Sequence, residues 1–197
     1  MISSETSLYR ILVWVAVGIG VFVIGSLVFD YLGGSDDEGM LNYRRGNLRL
    51  EDGLFKDALV EFNQFLQIHD ADPLGYLGRG LALVGMGEND QAMEAFNTAL
   101  ALDENLGAVY ANRGILFDRM GRHEEAAQDY RRALELDEEL GEGPGWLTRF
   151  FRNQWEAPPT IRDRMVYLEK ELAKPPAERL LQVPEIDEKQ RSYKLEK

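Results

Sequence analysis

No cysteine occurs among the 197 residues, which excludes disulfides, thiolate nucleophiles, Cys-based zinc sites and a lipidated N-terminal cysteine together. Histidine is nearly as scarce, with only His69 and His123. The run His69-Asp70-Ala71-Asp72 sets carboxylates beside one imidazole, a composition ordinary for a turn, and no metal site is assigned to it. The sequence contains no phosphate-binding glycine loop, nucleophile elbow, HExxH pattern or recognisable Ser-His-Asp order. The reading is therefore a non-enzyme, with no catalytic residue and no cofactor. Positive charge is also in deficit: 22 Lys and Arg stand against 34 Asp and Glu, a net of -12. That field repels phosphates, so a nucleic-acid partner is not expected. The length suits one modest domain, and 45% hydrophobic residues can fill its core.

Charge is missing altogether from Ile11 to Phe29, the 19 residues ILVWVAVGIGVFVIGSLVF. As a helix this run rises roughly 28 Å, about the thickness of a bilayer's hydrocarbon core. A cleavable signal peptide has a shorter apolar region and a small-x-small cleavage site, whereas here the run passes into Phe29-Asp30-Tyr31-Leu32-Gly33. We read residues 1–10 as an N-terminal tail, 11–32 as a transmembrane helix and 33–38 as a flexible linker. Ala16 and Gly20 form one small-xxx-small pair, a pattern read as lipid-facing filler. Arg10 precedes the span, acidic Asp30, Asp36, Asp37 and Glu38 follow it, and Arg44, Arg45 and Arg49 come later, inside the first expected helix of the folded part. Discounting those three arginines, the near flanks place the N-terminus in the cytoplasm and the soluble part outside.

Beyond the linker the chain repeats itself every 34 residues. Glycine recurs at Gly46, Gly80 and Gly114 and again at Gly53, Gly87 and Gly121; alanine recurs at Ala58, Ala92 and Ala126, and an aromatic at Phe62, Phe96 and Tyr130. Leu66, Leu100 and Leu134 add a fifth column, while Ala99 and Ala133 correspond to Phe65 in the first copy. Each unit reads as two helices joined at the second glycine, a hairpin that cannot bury its own faces and must stack on its neighbours.

This pattern resembles the tetratricopeptide repeat family, with repeats at 39–72, 73–106 and 107–140. The bulky residue expected early in the first helix is Tyr76 and Tyr110 in two copies but Asn42 in the first, and Glu104 and Glu138 stand where the family's closing proline falls. Gly75, Gly78 and Gly80 crowd one helix at a propensity cost of about 1 kcal/mol each. Either close approach by another backbone or local looseness accounts for them. The fold class implied is all-α: a three-repeat solenoid of helical hairpins with a C-terminal capping helix, preceded by one transmembrane helix.

The resemblance implies that the first helices line a concave groove, which places Tyr43, Asn47, Leu74, Leu77, Leu81, Val84, Ala108, Ala111, Asn112 and Ile115 on it, followed by Asp118 and Arg119. A subgroup of the family grips a terminal carboxylate with Lys, Asn and Arg at set groove positions. Here only Asn47 is in place, with Tyr43, Gly78, Ala108 and Asn112 at the other positions, so the clamp is rejected. The expected partner is a protein helix or extended segment with apolar anchors, for which Asn112 either sets register or is merely solvated. Residues 39–140 hold 19 acidic against 10 basic residues and 141–197 hold 10 against 11, so the repeats are the acidic part. Most of those charges are read as solvating outer faces.

In residues 141–197, Trp146, Leu147 and Phe150 are expected to form the capping helix. Thr160 is the expected N-cap of a second helix with Ile161, Met165, Leu168 and Leu172 on one face, ending before Pro175-Pro176. The extended tail around Leu180, Leu181 and Val183 either folds into the protein's own groove, which local concentration favours, or docks on another chain. For the whole chain, the uncharged run and its flanks are read as a single-pass anchor in a bacterial inner membrane with the soluble part in the periplasm, and the resemblance implies an adaptor serving assembly or regulation of an envelope complex. The alternative is a constitutive accessory subunit of one large membrane complex.

Overall fold

The computed structural model describes residues 13–24, 38–143 and 159–182. The chain divides into two compact units, Met1–Leu41 and Asn42–Lys197. In the first, residues 13–24 form helix α1. Its large side chains are uncovered: Trp14 is 74% and Phe22 76% exposed, and every Val and Ile of the helix is exposed too. A methyl added at Gly18 or Gly20 meets nothing within 4 Å. Among the described residues no helix is long and apolar enough to cross a membrane. The rest of the 11–32 span read from the sequence lies outside the described residues, as does the linker up to residue 37.

The repeats form six helices: α2 (Glu38–Glu51), α3 (Phe55–Ile68), α4 (Pro73–Met86), α5 (Asn89–Leu102), α6 (Gly107–Arg119) and α7 (His123–Leu136). A 3-10 turn at Glu138–Gly141, helix α8 (Ile161–Leu172) and a second 3-10 turn at Pro176–Glu178 follow. No strand occurs among the described residues.

Each hairpin turns at a left-handed glycine, with φ of 72° at Gly53, 81° at Gly87 and 75° at Gly121. That conformation costs an L side chain energy and glycine nothing. Each turn is closed by the same six-to-one backbone bond, from Leu54 N to Arg49 O, Glu88 N to Leu83 O and Arg122 N to Phe117 O. The glycine column and the bond column therefore share one period.

The other glycine column admits the aromatic one. Phe62, Phe96 and Tyr130 are fully buried, and a Cβ at Gly46 or Gly114 falls 2.8 Å from the ring of Phe62 or Tyr130. The same contact, tighter still, faces Gly80 and Phe96. Ala58, Ala92 and Ala126, also fully buried, complete the seam. The crowded glycines of α4 are explained by side chains, neither by another backbone nor by looseness: Gly78 faces the Phe62 ring and Gly75 faces Phe65 and Leu66. Phe65 with Gly75 in one junction corresponds to Ala99 with Val109 in the next, a volume exchange that keeps both cores filled.

The segment expected to cap the array, around Trp146 to Phe150, lies outside the described residues. In the described part, α8 packs against α7. Thr160 and Asp163 form a reciprocal capping box at its start, and Ile161 and Leu168 are buried in the common core, with Met165 and Leu172 partly so.

Candidate functional site

Ten residues were expected on the groove, and their burial divides them. Leu77, Ala108 and Ala111 are at most 2% exposed and are packed into the core. Tyr43, Leu74, Leu81, Asn112 and Ile115 are buried with small remnants of surface, and Asn47 and Val84 are half-buried. The first helices are thus held so close that most of the expected lining is the material of the stack itself. Tyr43 packs its ring 5.9 Å from Phe62 and 5.4 Å from Phe65. Burial pushes its hydroxyl up, opposed by a hydrogen bond with Asn47. Asn112 donates from Nδ2 to Ala108 O at 2.7 Å, bonding back to its own helix, so register-setting is not its sole role.

Four of the ten, Leu81, Val84, Asn112 and Ile115, meet at a cleft of about 160 Å³. Arg119 stands on its edge, and Phe55, Gly85 and Phe96 complete the lining. The volume is below the roughly 300–1,000 Å³ of small-molecule sites and is of the size that admits one ring-sized apolar group. Phe55 and Gly85 were not expected here. The column of Phe55 reads Asn89 and His123 in the other copies, so no repeat signal marks it. Gly85 stands where the neighbouring repeats have Glu51 and Arg119, and its missing side chain makes room for the Phe55 ring.

Asp118, expected as groove lining, is buried in a polar cluster instead. Arg164 of α8 donates to it twice, from Nε at 2.6 Å and Nη2 at 2.8 Å. Tyr130 donates to the same carboxylate at 3.3 Å, and His123 Nδ1 lies 3.0 Å away. Arg164 is 1% exposed and also donates to Leu181 O at 2.8 Å. The tail is held there: Tyr167 donates to Leu180 O at 2.6 Å, and Leu180 N donates to Glu171 Oε2 at 2.9 Å. The described tail, 179–182, is therefore tied to α8, with Leu181 packed against the core and Leu180 67% exposed. Val183 lies outside the described residues.

A second cation bridges the hairpins. Arg113 of α6 holds Asp129 of α7 through Nε at 2.7 Å and Nη2 at 2.9 Å, and reaches Asn97 of α5 at 2.7 Å. Burial pushes the Asp129 carboxyl up, and the guanidinium pulls it only part of the way back. Among the described residues no three potential ligands cluster to hold a metal ion.

Residues 75–106 and 107–140 each match a tetratricopeptide repeat family model, coinciding with the second and third hairpins. No curated protein sequence matches the chain. Among solved structures, the first TPR of Spaghetti (RPAP3) bound to the HSP90 peptide SRMEEVD is similar at 20% identity and a TM-score of 0.55, covering 71% of this chain and 97% of that one. The Sgt2 TPR domain from Aspergillus fumigatus is similar at 17% identity and 0.52, covering 71% and 86%, and MamA at 20% and 0.50, covering 72% and 80%. At these identities the likeness concerns the fold, which is that of a tetratricopeptide repeat solenoid.

Proposed function

We propose that this tetratricopeptide solenoid is a membrane-anchored adaptor that captures a segment of a partner protein, with one apolar side chain of that segment seated among Leu81, Val84 and Ile115. The observation that carries the reading is the cleft itself. It is lined mainly by apolar residues, with Asn112 and Arg119 as its polar members, and its volume matches a side chain better than a metabolite. The solved structure of similar fold whose title names a bound HSP90 peptide supports a peptide as the class of ligand. Of the positions with which a subgroup of the family grips a terminal carboxylate only Asn47 is in place here, so the anchor in this reading is an internal apolar residue.

The anchor is the uncharged run from Ile11 to Phe29. Nine exposed large apolar residues on α1 support it, because water would charge roughly 25 cal/mol per Å² for such a surface while lipid would not. We place the protein in a bacterial inner membrane with the repeats outside the cytoplasm, assembling or regulating an envelope complex. The second reading is an accessory subunit of one large membrane complex. No reacting side chain enters either reading.

The test is affinity isolation from detergent-solubilised membranes with groove variants. Leu77 and Leu81 are core residues, so placing Asp there unfolds the stack and cannot report on binding. Val84→Asp with Arg119→Glu changes the cleft from its accessible side. Capture is expected to fall at least roughly tenfold while helicity stays that of the parent, since a charge set in an apolar anchor pocket costs more than about 1.4 kcal/mol. Unchanged capture refutes the cleft as the binding site. Many substoichiometric clients indicate an adaptor and one stoichiometric complex a subunit, and a reporter fused after Lys197 reads the topology.

A further inference from the structure

Each later hairpin of the solenoid lays one stripe of its first helix against the hairpin before it. In α6 that stripe holds Arg113, which reaches back to Asn97 of α5, and one turn on Leu116, which is fully buried. The matching residues of α4 are Arg79 and Ala82, the latter also fully buried. In α2 the same two columns are Arg45 and Leu48, and Leu48 is 60% exposed. The far end differs: there α8 covers α7 and Arg164 fastens it to Asp118. One end of the repeat array is capped, and the other presents a stacking surface.

Charges of both signs flank Leu48 in a definite order. Arg44 and Arg45 lie one turn before it, Glu51 and Asp52 one turn after, and all four are exposed. A two-fold axis through Leu48 that sets α2 antiparallel to itself maps Arg44 onto Asp52 and Arg45 onto Glu51. An axis through Arg45 would instead set the two Arg45 side chains against each other.

We propose that the α2 face pairs with the α2 face of a second copy about a two-fold axis at Leu48, with Arg44 and Arg45 of each copy opposite Asp52 and Glu51 of the other. Such a contact is isologous and closes at two chains. Among the described residues the other end is covered by α8, so it does not repeat this stripe, and closure about the two-fold axis gives a dimer. The apolar centre supplies contact, and the charge order sets antiparallel direction and register. This goes beyond partner capture, since the paired face is distinct from the cleft.

The test uses the full chain in detergent and exploits its lack of cysteine. Leu48→Cys, or as a control Val60→Cys at an exposed position of α3, becomes the sole thiol. Under mild oxidation or with a short thiol cross-linker, Leu48→Cys is expected to give covalent dimer roughly tenfold faster than Val60→Cys, because its two copies meet on the axis. Adding Arg45→Glu sets like charges opposite twice and is expected to slow cross-linking roughly tenfold, and adding Glu51→Arg as well restores it. Equal cross-linking from the two positions, as an association through the apolar N-terminal run would give, overturns the proposal. So does a chain that stays monomeric, or an Arg45→Glu effect that Glu51→Arg fails to reverse.

Discussion

Arg164 brings a guanidinium into an interior where an unpaired charge is expensive, and Asp118 answers it with a two-point contact while also engaging Tyr130 and His123. Losing one partner leaves the other charged and buried. Asp118→Leu or Arg164→Met is therefore expected to lower unfolding free energy by about 3–5 kcal/mol in urea titrations, while the double replacement Asp118→Leu with Arg164→Met recovers much of the loss. Two single losses that simply add in the double variant would show that the residues act independently. This pair was not legible in the sequence. Asp118 sits at a groove position by repeat spacing, and Arg164 lies beyond the last repeat, where no column predicts its contacts. By contrast, the glycine, alanine and aromatic columns were legible, because each is dictated by one recurring close approach, as Gly46 with Phe62 and Gly114 with Tyr130 show.

At the scale of elements, the hairpin turns and helix pairs follow from punctuation that the chain repeats three times. The end of the array does not. Thr160 signalled α8 as its N-cap, yet that α8 fastens to the last hairpin depends on a buried ion pair, and the return of residues 179–182 rests on Arg164, Tyr167 and Glu171. A hydrogen bond with Lys174, then one from the Leu180 backbone, holds the Glu171 carboxyl below its ordinary value. Folded Glu171 therefore keeps its charge to lower pH than the unfolded chain does. Its contribution is full above the ordinary value of 4.5 and is lost as pH falls through the depressed one. Amide exchange should show it: Leu180 N–H is protected at neutral pH, becomes exposed on acidification through that window, and is already fast in Glu171→Gln at neutral pH. Protection of Leu180 that ignores both pH and the substitution would mean that the bonds from Arg164 and Tyr167 and the packing of Leu181 retain the tail without Glu171.

For the whole molecule, the 34-residue period leads to a stacked solenoid and the uncharged run to a proposed anchor, but period alone does not say how much of a groove stays open. Leu77 and Ala111 are spent on stacking, and the accessible part contracts to the cleft near Val84 and Arg119. Its extent depends on Phe55 and Gly85, whose columns vary between copies. Photo-cross-linking in native membranes tests the central claim most directly, with benzoylphenylalanine placed at Val84 and, as a control, at Glu94, an exposed residue of α5. The account predicts that Val84 links to one defined peptide of another protein, identified by mass spectrometry, and that Glu94 does not. The same products from both positions, or none from Val84, would contradict it.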